Sequence, residues 1–184
     1  VEELDYLFNN YLKFKDEDNI NLILASDAFD LNMDLTLKFS NYPGFTNALF
    51  ALWDTDNIPS ETYARYTNGE SYFSSEYRKI FIANTVLRYI PDVKGSDDMK
   101  VKLEREAKFI RAYSMWNLAQ TYCLPYSEAN KNEPGLILKN STSFEESTKR
   151  ATLEETYQYI EENLTAALEI TNNMEIVNGN KNSV

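Results

Sequence analysis

Histidine is absent from this 184-residue chain, and cysteine occurs once, as Cys123. Zinc sites draw mainly on those two residue types, so a zinc centre is disfavoured. A histidine-based catalytic triad is excluded outright. A single cysteine forms no internal disulfide, so cysteine count carries no information on redox compartment. Cys123 closes an apolar helical stretch and reads as a buried, inert thiol. No glycine-rich nucleotide-binding motif occurs. No apolar run reaches transmembrane length, and no signal peptide opens the chain. The opening Val1–Glu2–Glu3 reads as the start of a trimmed or mature segment. Basic residues are in deficit, 18 against 29 acidic, for a net charge of −11. That field repels nucleic acid and anionic lipid headgroups. Neutral sugars, peptides or a protein partner remain compatible with it.

What is present is apolar and aromatic. The apolar fraction of 43% rules out a disordered chain. A chain of this length can bury roughly 70% of its unfolded surface. Thirteen tyrosines and ten phenylalanines bring aromatic content to 14%. Tyrosine joins a flat apolar face to a polar tip, which serves either layered helix packing or an aromatic-lined groove.

Leu4, Leu7, Phe8 and Tyr11 share a helical face and predict a first helix over residues 2–15. Residues 21–29 are apolar and ambiguous, and the alternation of Leu35, Leu37 and Phe39 reads as a short extended arm. Residues 40–75 form a long irregular segment, punctuated by Pro43–Gly44, Pro59 and Asn68–Gly69, with a short helix expected between Phe45 and Trp53. Tyr77, Ile80, Phe81, Asn84, Leu87 and Ile90 predict a helix ended by Pro91. A long helix follows over residues 98–122, its stripe set by Leu103, Ala107, Ile110, Ser114 and Leu118 and widened by Ala112, Trp116 and Ala119. Lys102–Glu106 and Glu104–Lys108 fall four apart on its wet side. After a loop with Pro125, Pro134 and Gly135, Thr152 and Glu155 form a capping box. The last helix then runs along Leu153, Tyr157, Ile160, Leu164 and Ala167 or Leu168, ending near Ile170. The pattern is all-α, with tetratricopeptide-like helix pairs and one aromatic-rich irregular segment. One domain spans 1–184: an N-terminal helix and loop region over 1–75, helix pairs over 76–170, and 171–184 leading toward further helices.

Several stretches resemble a known family. Residues 104–113, Glu-Arg-Glu-Ala-Lys-Phe-Ile-Arg-Ala-Tyr, are similar to the E-A-(K/R)-F-(L/I)-R-A-Y hallmark of the SusD/RagB family. The match continues to Cys123–Leu124–Pro125–Tyr126, where Cys123 replaces a usual glycine. Residues 77–87 resemble its Y-x-x-I-x-x-A-N-x-x-L helix, and residues 150–157 its R-A-T-x-x-E-x-Y segment. Gly135–Leu136–Ile137–Leu138 fits G-(V/I)-P-L except that Ile137 replaces proline, and Ser26–Asp27 fits a frequent Ser-Asp. The resemblance covers residues from about 20 to 170 and corresponds to the N-terminal portion of much longer proteins. It implies a SusD-like α-α superhelix without catalytic activity or cofactor. Such proteins are outer-membrane lipoproteins of Bacteroidetes-like bacteria. They lie on TonB-dependent transporters of the SusC/RagA type and capture glycans, or in some cases peptides. The anchoring cysteine would precede Val1.

For ligand contact the strongest candidates are Trp53, Tyr63, Tyr66 and Tyr72, whose rings can stack on the C–H faces of sugars. Asp54, Asp56 and Asn57 beside Trp53 can hydrogen-bond hydroxyls, and Asp27 serves equally as a helix cap or a site-edge residue. Asn84, Glu106 and Arg111 are polar groups near apolar faces and read as structural ties, with Tyr113 and Trp116 as structural aromatics. Asp27, Asp30 and Asp34 lack the glycine and terminal glutamate of a calcium loop, and no metal is assigned. Asp54 with Asp56, or Glu154 with Glu155, does not establish a glycosidase pair, which needs carboxylates facing across a substrate. A helical-repeat scaffold without its own ligand site is the alternative reading, followed by a glycoside hydrolase.

Overall fold

The computed structural model describes residues 1–11, 72–143 and 145–169. Among these the fold is all-α: α1 (Glu2–Tyr11), α2 (Tyr72–Tyr89), a 3-10 turn (Ile90–Asp92), α3 (Asp97–Tyr122) and α4 (Leu153–Glu169). The chain divides into two compact units, Val1–Leu12 with Glu76–Val184, and Lys13–Ser75. In the second unit only the first turn of α2 is described. The expected extended arm at 35–39, the short helix between Phe45 and Trp53, and the stretch 171–184 lie outside the described residues.

In the first unit, α1 buries Leu4 and Phe8. Its first turn carries Glu2, Glu3 and Asp5, which suit the positive end of the helix dipole. The amino terminus of Val1 donates to the Lys94 carbonyl at 3.2 Å. Gly95 makes that approach feasible, since a Cβ there would collide with the Val1 side chain.

Helix α2 begins at Tyr72, five residues before the first position of the apolar stripe at Tyr77. The stripe misses this start because the early buried positions are polar. Glu76 and Lys79 are almost fully buried and pair with each other at 2.8 Å. Pro91 enters within the 3-10 turn, where its missing N–H costs no helical bond. Ser96 then caps α3 by accepting from Met99 N–H at 3.4 Å. At 26 residues α3 is the longest described helix, about 39 Å at the standard rise per residue.

The α3 stripe is buried as its spacing predicts, through Leu103, Ala107, Ile110, Ser114 and Leu118. Both expected wet-side pairs form, Lys108–Glu104 at 2.7 Å and Lys102–Glu106 at 3.7 Å. Helix α4 packs along α3. Its core face differs from the expected one: Leu153, Thr156, Tyr159, Ile160, Asn163 and Ala167 are buried, whereas Leu164 is 36% and Leu168 71% exposed. The two polar members, Thr156 and Asn163, hide that register from an apolar count. The main core joins Ile80 of α2, Ala112, Met115, Leu118 and Ala119 of α3, Leu136 of the loop, and Tyr159 and Ile160 of α4. Each large member contributes about 1.5–3 kcal/mol through burial.

Candidate functional site

Three helices present polar side chains at buried positions, and these meet beneath the irregular chain between α3 and α4. Arg111 of α3 is the centre. Its Nε donates to Asn163 Oδ1 of α4 at 2.8 Å, Nη2 donates to the same oxygen, and Nη1 donates to Asn84 Oδ1 of α2 at 3.0 Å. The guanidinium lies 5.6 Å from the Tyr159 ring centroid, within cation–π range. Asn84 passes the connection on, donating through Nδ2 to the carbonyls of Lys139 at 3.1 Å and Ser141 at 3.2 Å. The Tyr159 hydroxyl donates to the same Lys139 carbonyl at 2.8 Å, and Asn163 Nδ2 is held by Tyr159 O at 2.8 Å. A planar fork with several fixed donors suits this junction; a lysine would supply one point charge.

The segment just upstream is held in the same way. The Tyr77 hydroxyl donates to the Ile137 carbonyl at 2.8 Å and accepts from the Ile137 N–H at 3.1 Å. That second bond depends on the departure from the G-(V/I)-P-L pattern, because a proline at 137 would offer no N–H. Thr156 accepts from Leu136 N–H at 3.0 Å, and Arg150 donates to the carbonyls of Gly135 at 2.6 Å and Pro134 at 3.0 Å. An isolated antiparallel bridge between Pro134 and Thr152 aligns the two ends of the loop. Gly135 is required here: a Cβ would run into the Thr152 carbonyl and the Thr156 hydroxyl. Further out, Lys139 Nζ donates to Glu146 O and Ser147 O, each at 3.1 Å, and Asn140 N–H donates to Glu146 Oε1 at 2.9 Å. Arg88 reaches Thr142 at 3.1 Å.

Burial sets the acid–base behaviour. It pushes the phenols of Tyr77 and Tyr159 up to about 12, against the opposing effects of the Ile137 hydrogen bond and of Arg111 respectively. Burial likewise raises the Cys123 thiol, with Arg150 partly offsetting it. Cys123 is only half-buried, less enclosed than its sequence position predicts. Burial also raises the Glu106 carboxyl, with Lys102 pulling the other way.

A second feature lies on the outer face of α3. Phe109 and Tyr113 stack at 5.9 Å, and Tyr113 and Trp116 at 6.1 Å. Tyr113 is 40% and Trp116 42% exposed, so this aromatic ladder faces outward and Trp116 does not widen the buried stripe.

Of the sequence-stated ligand candidates, Asp27, Trp53, Asp54, Asp56, Asn57, Tyr63 and Tyr66 lie outside the described residues, and Tyr72 is the first residue of α2. Asn84 and Arg111 are brought together; Glu106, Tyr113 and Trp116 are not part of their network. Asn163, Tyr159 and Thr156 are not among the residues singled out from the sequence, and Tyr77 and Arg150, expected only as a stripe position and a motif residue, also hold the loop. Asn163 and Thr156 carried a signal, three and four residues from buried positions of α4. Glu155 closes the expected capping box with Thr152, accepting from Thr152 N–H at 2.7 Å, which commits that carboxylate to the helix start. No group of three or more metal-ligating side chains occurs among the described residues, nor any helix long and apolar enough to cross a membrane.

No curated protein matches the chain. A family model described as starch-binding and associating with the outer membrane matches residues 20–178. The match takes in the α2 asparagine, the α3 arginine, the α4 asparagine and the loop they hold, and the chain belongs to the SusD-like family.

Proposed function

We propose that the chain is part of a non-enzymatic surface protein that captures glycan and passes it to a TonB-dependent outer-membrane transporter of the SusC/RagA type. The observation that carries this reading is the family match over residues 20–178, with its starch-binding, outer-membrane description. The net charge of −11 favours a neutral ligand over an anionic one. The use of Glu155 as a helix cap takes one member of the Glu154–Glu155 pair out of any hydrolytic role and supports binding. The aromatic-rich segment with Trp53, Asp54, Asp56, Asn57, Tyr63, Tyr66 and Tyr72, together with Asp27, is the proposed ligand-contact region, its rings for stacking and its amide and carboxylates for hydroxyls. Asn84, Glu106, Arg111, Tyr113 and Trp116 are proposed to serve the scaffold. A lipid anchor at the outer face of the membrane belongs to this proposal too.

Calorimetric titration of the full-length protein with α-1,4-linked glucose oligosaccharides, other oligosaccharides and peptides tests it. Saturable heat with an oligosaccharide is expected, reduced by Trp53→Ala. Binding to peptides alone would change the ligand class. No binding to either would leave a protein-interaction scaffold. Reducing sugar released on long incubation, and lost in Asp54→Asn, would overturn the non-enzymatic reading.

A further inference from the structure

The Arg111 network is an unusual way to hold three helices together. A half-buried guanidinium and two buried amides must each be bonded, and apolar residues of similar volume commonly give equal or greater stability than buried charged networks. What the polar groups specify can be read by following their bonds outward. Among the described residues Arg111 bonds to Asn163 and Asn84, and Asn84 spends both Nδ2 hydrogens on loop carbonyls, those of Lys139 and Ser141. Tyr159, against which the guanidinium lies, spends its hydroxyl on Lys139 as well. The chain of bonds ends on the loop.

We infer that Arg111, Asn84 and Asn163 are positioning residues, whose role is to hold the 139–143 segment of the loop in one conformation rather than to hold the helices. Arg111 sets the orientation of the Asn84 amide by taking its oxygen, which turns the two Nδ2 hydrogens to the loop. Asn163 sets the orientation of Arg111 in turn. Without that fixed amide, the Lys139 and Ser141 carbonyls lose their shared anchor, and only Tyr159 still holds one of them. The outer contacts of Lys139 with Glu146 and Ser147 then hold the loop to itself, with Tyr159 at Lys139 and Arg88 at Thr142 as its remaining side-chain ties to α4 and α2. A segment anchored from beneath holds its exposed Ser141 and Ser143 in a fixed arrangement.

The test separates loop order from helix stability. In the triple variant Arg111→Met, Asn84→Leu and Asn163→Leu, helical circular dichroism and the melting temperature are expected to hold or rise. Amide hydrogen exchange across 139–143 is expected to accelerate at least roughly tenfold while α3 and α4 keep their protection. Tyr159→Phe, which removes a single hydroxyl, is expected to accelerate exchange in the loop by a smaller factor. Unchanged loop protection in the triple variant overturns the inference, as does parallel loss in loop and helices. If the triple variant does not fold, Asn84→Asp decides, since it keeps an oxygen for Arg111 and removes both donors to the loop: faster exchange confined to the loop supports the inference, and a global or absent change overturns it.

Discussion

Arg111 makes three hydrogen bonds to two amide oxygens from a half-buried position. Truncating it strands both oxygens and leaves a cavity, unlike exchanging the whole network for apolar groups. Arg111→Ala is therefore expected to destabilise the fold by about 1–3 kcal/mol, measured by urea unfolding. Its importance was legible from the resemblance of residues 104–113, but its partners were not. Asn84 lies 27 residues away and Asn163 lies 52 away, separations that only the folded chain closes. Cys123 is a second residue whose behaviour follows from its surroundings. Burial holds its thiol above the usual range, so at pH 8 less of it is thiolate than in the unfolded chain. Alkylation of the native protein by iodoacetamide is expected to be slower than in urea at that pH, with a rate that continues to climb at pH values where the unfolded thiol has levelled off.

At the scale of the element, the start of α4 was the most legible boundary. The T-x-x-E pattern is local, and its bonds run between residues three apart. Thr152→Ala is expected to cost about 1 kcal/mol of stability, seen as a lower urea midpoint with unchanged slope. The Thr152 backbone and hydroxyl hydrogen bonds hold the Glu155 carboxyl below its usual range. Its contribution is thus present above the unfolded carboxylate value and fades as pH falls through the folded one. Glu155→Gln should flatten that acid limb of the stability profile. The interior of α4 was less legible, because Leu164 and Leu168 fit a helical stripe as well as the true core positions do. The deciding factor was tertiary: α3 offers Arg111 to Asn163, and the loop offers Leu136 N–H to Thr156.

For the whole molecule, helix order and fold class were readable because apolar spacing, a cap and motif order all agreed. The loop conformation was not, since the bonds that fix it to the helices come from Tyr77, Asn84, Arg88, Thr156 and Tyr159, all distant in sequence from the residues they hold. Three of those bonds are made by two phenols, and this gives the fold an alkaline limit. Tyr77 and Tyr159 titrate near 12 in the folded chain, against an ordinary value near 10. Their stabilising contribution is complete below pH 10 and is lost as pH rises toward 12. Thermal melts between pH 9 and 12 should show falling stability, and the fall should be shallower in Tyr159→Phe, which starts from a lower plateau.

The aromatic ladder on α3 also has an optical consequence. The chain holds two tryptophans, Trp53 and Trp116. In a Trp53→Phe variant all indole emission comes from Trp116, 42% exposed and stacked on Tyr113. Its emission is expected to lie toward the red and to be quenched readily by acrylamide. A macromolecule settling on this face would shift the emission to the blue and shield it from quencher. The outer surface of α3 thus carries its own unlabelled fluorescence reporter for whatever the protein meets there.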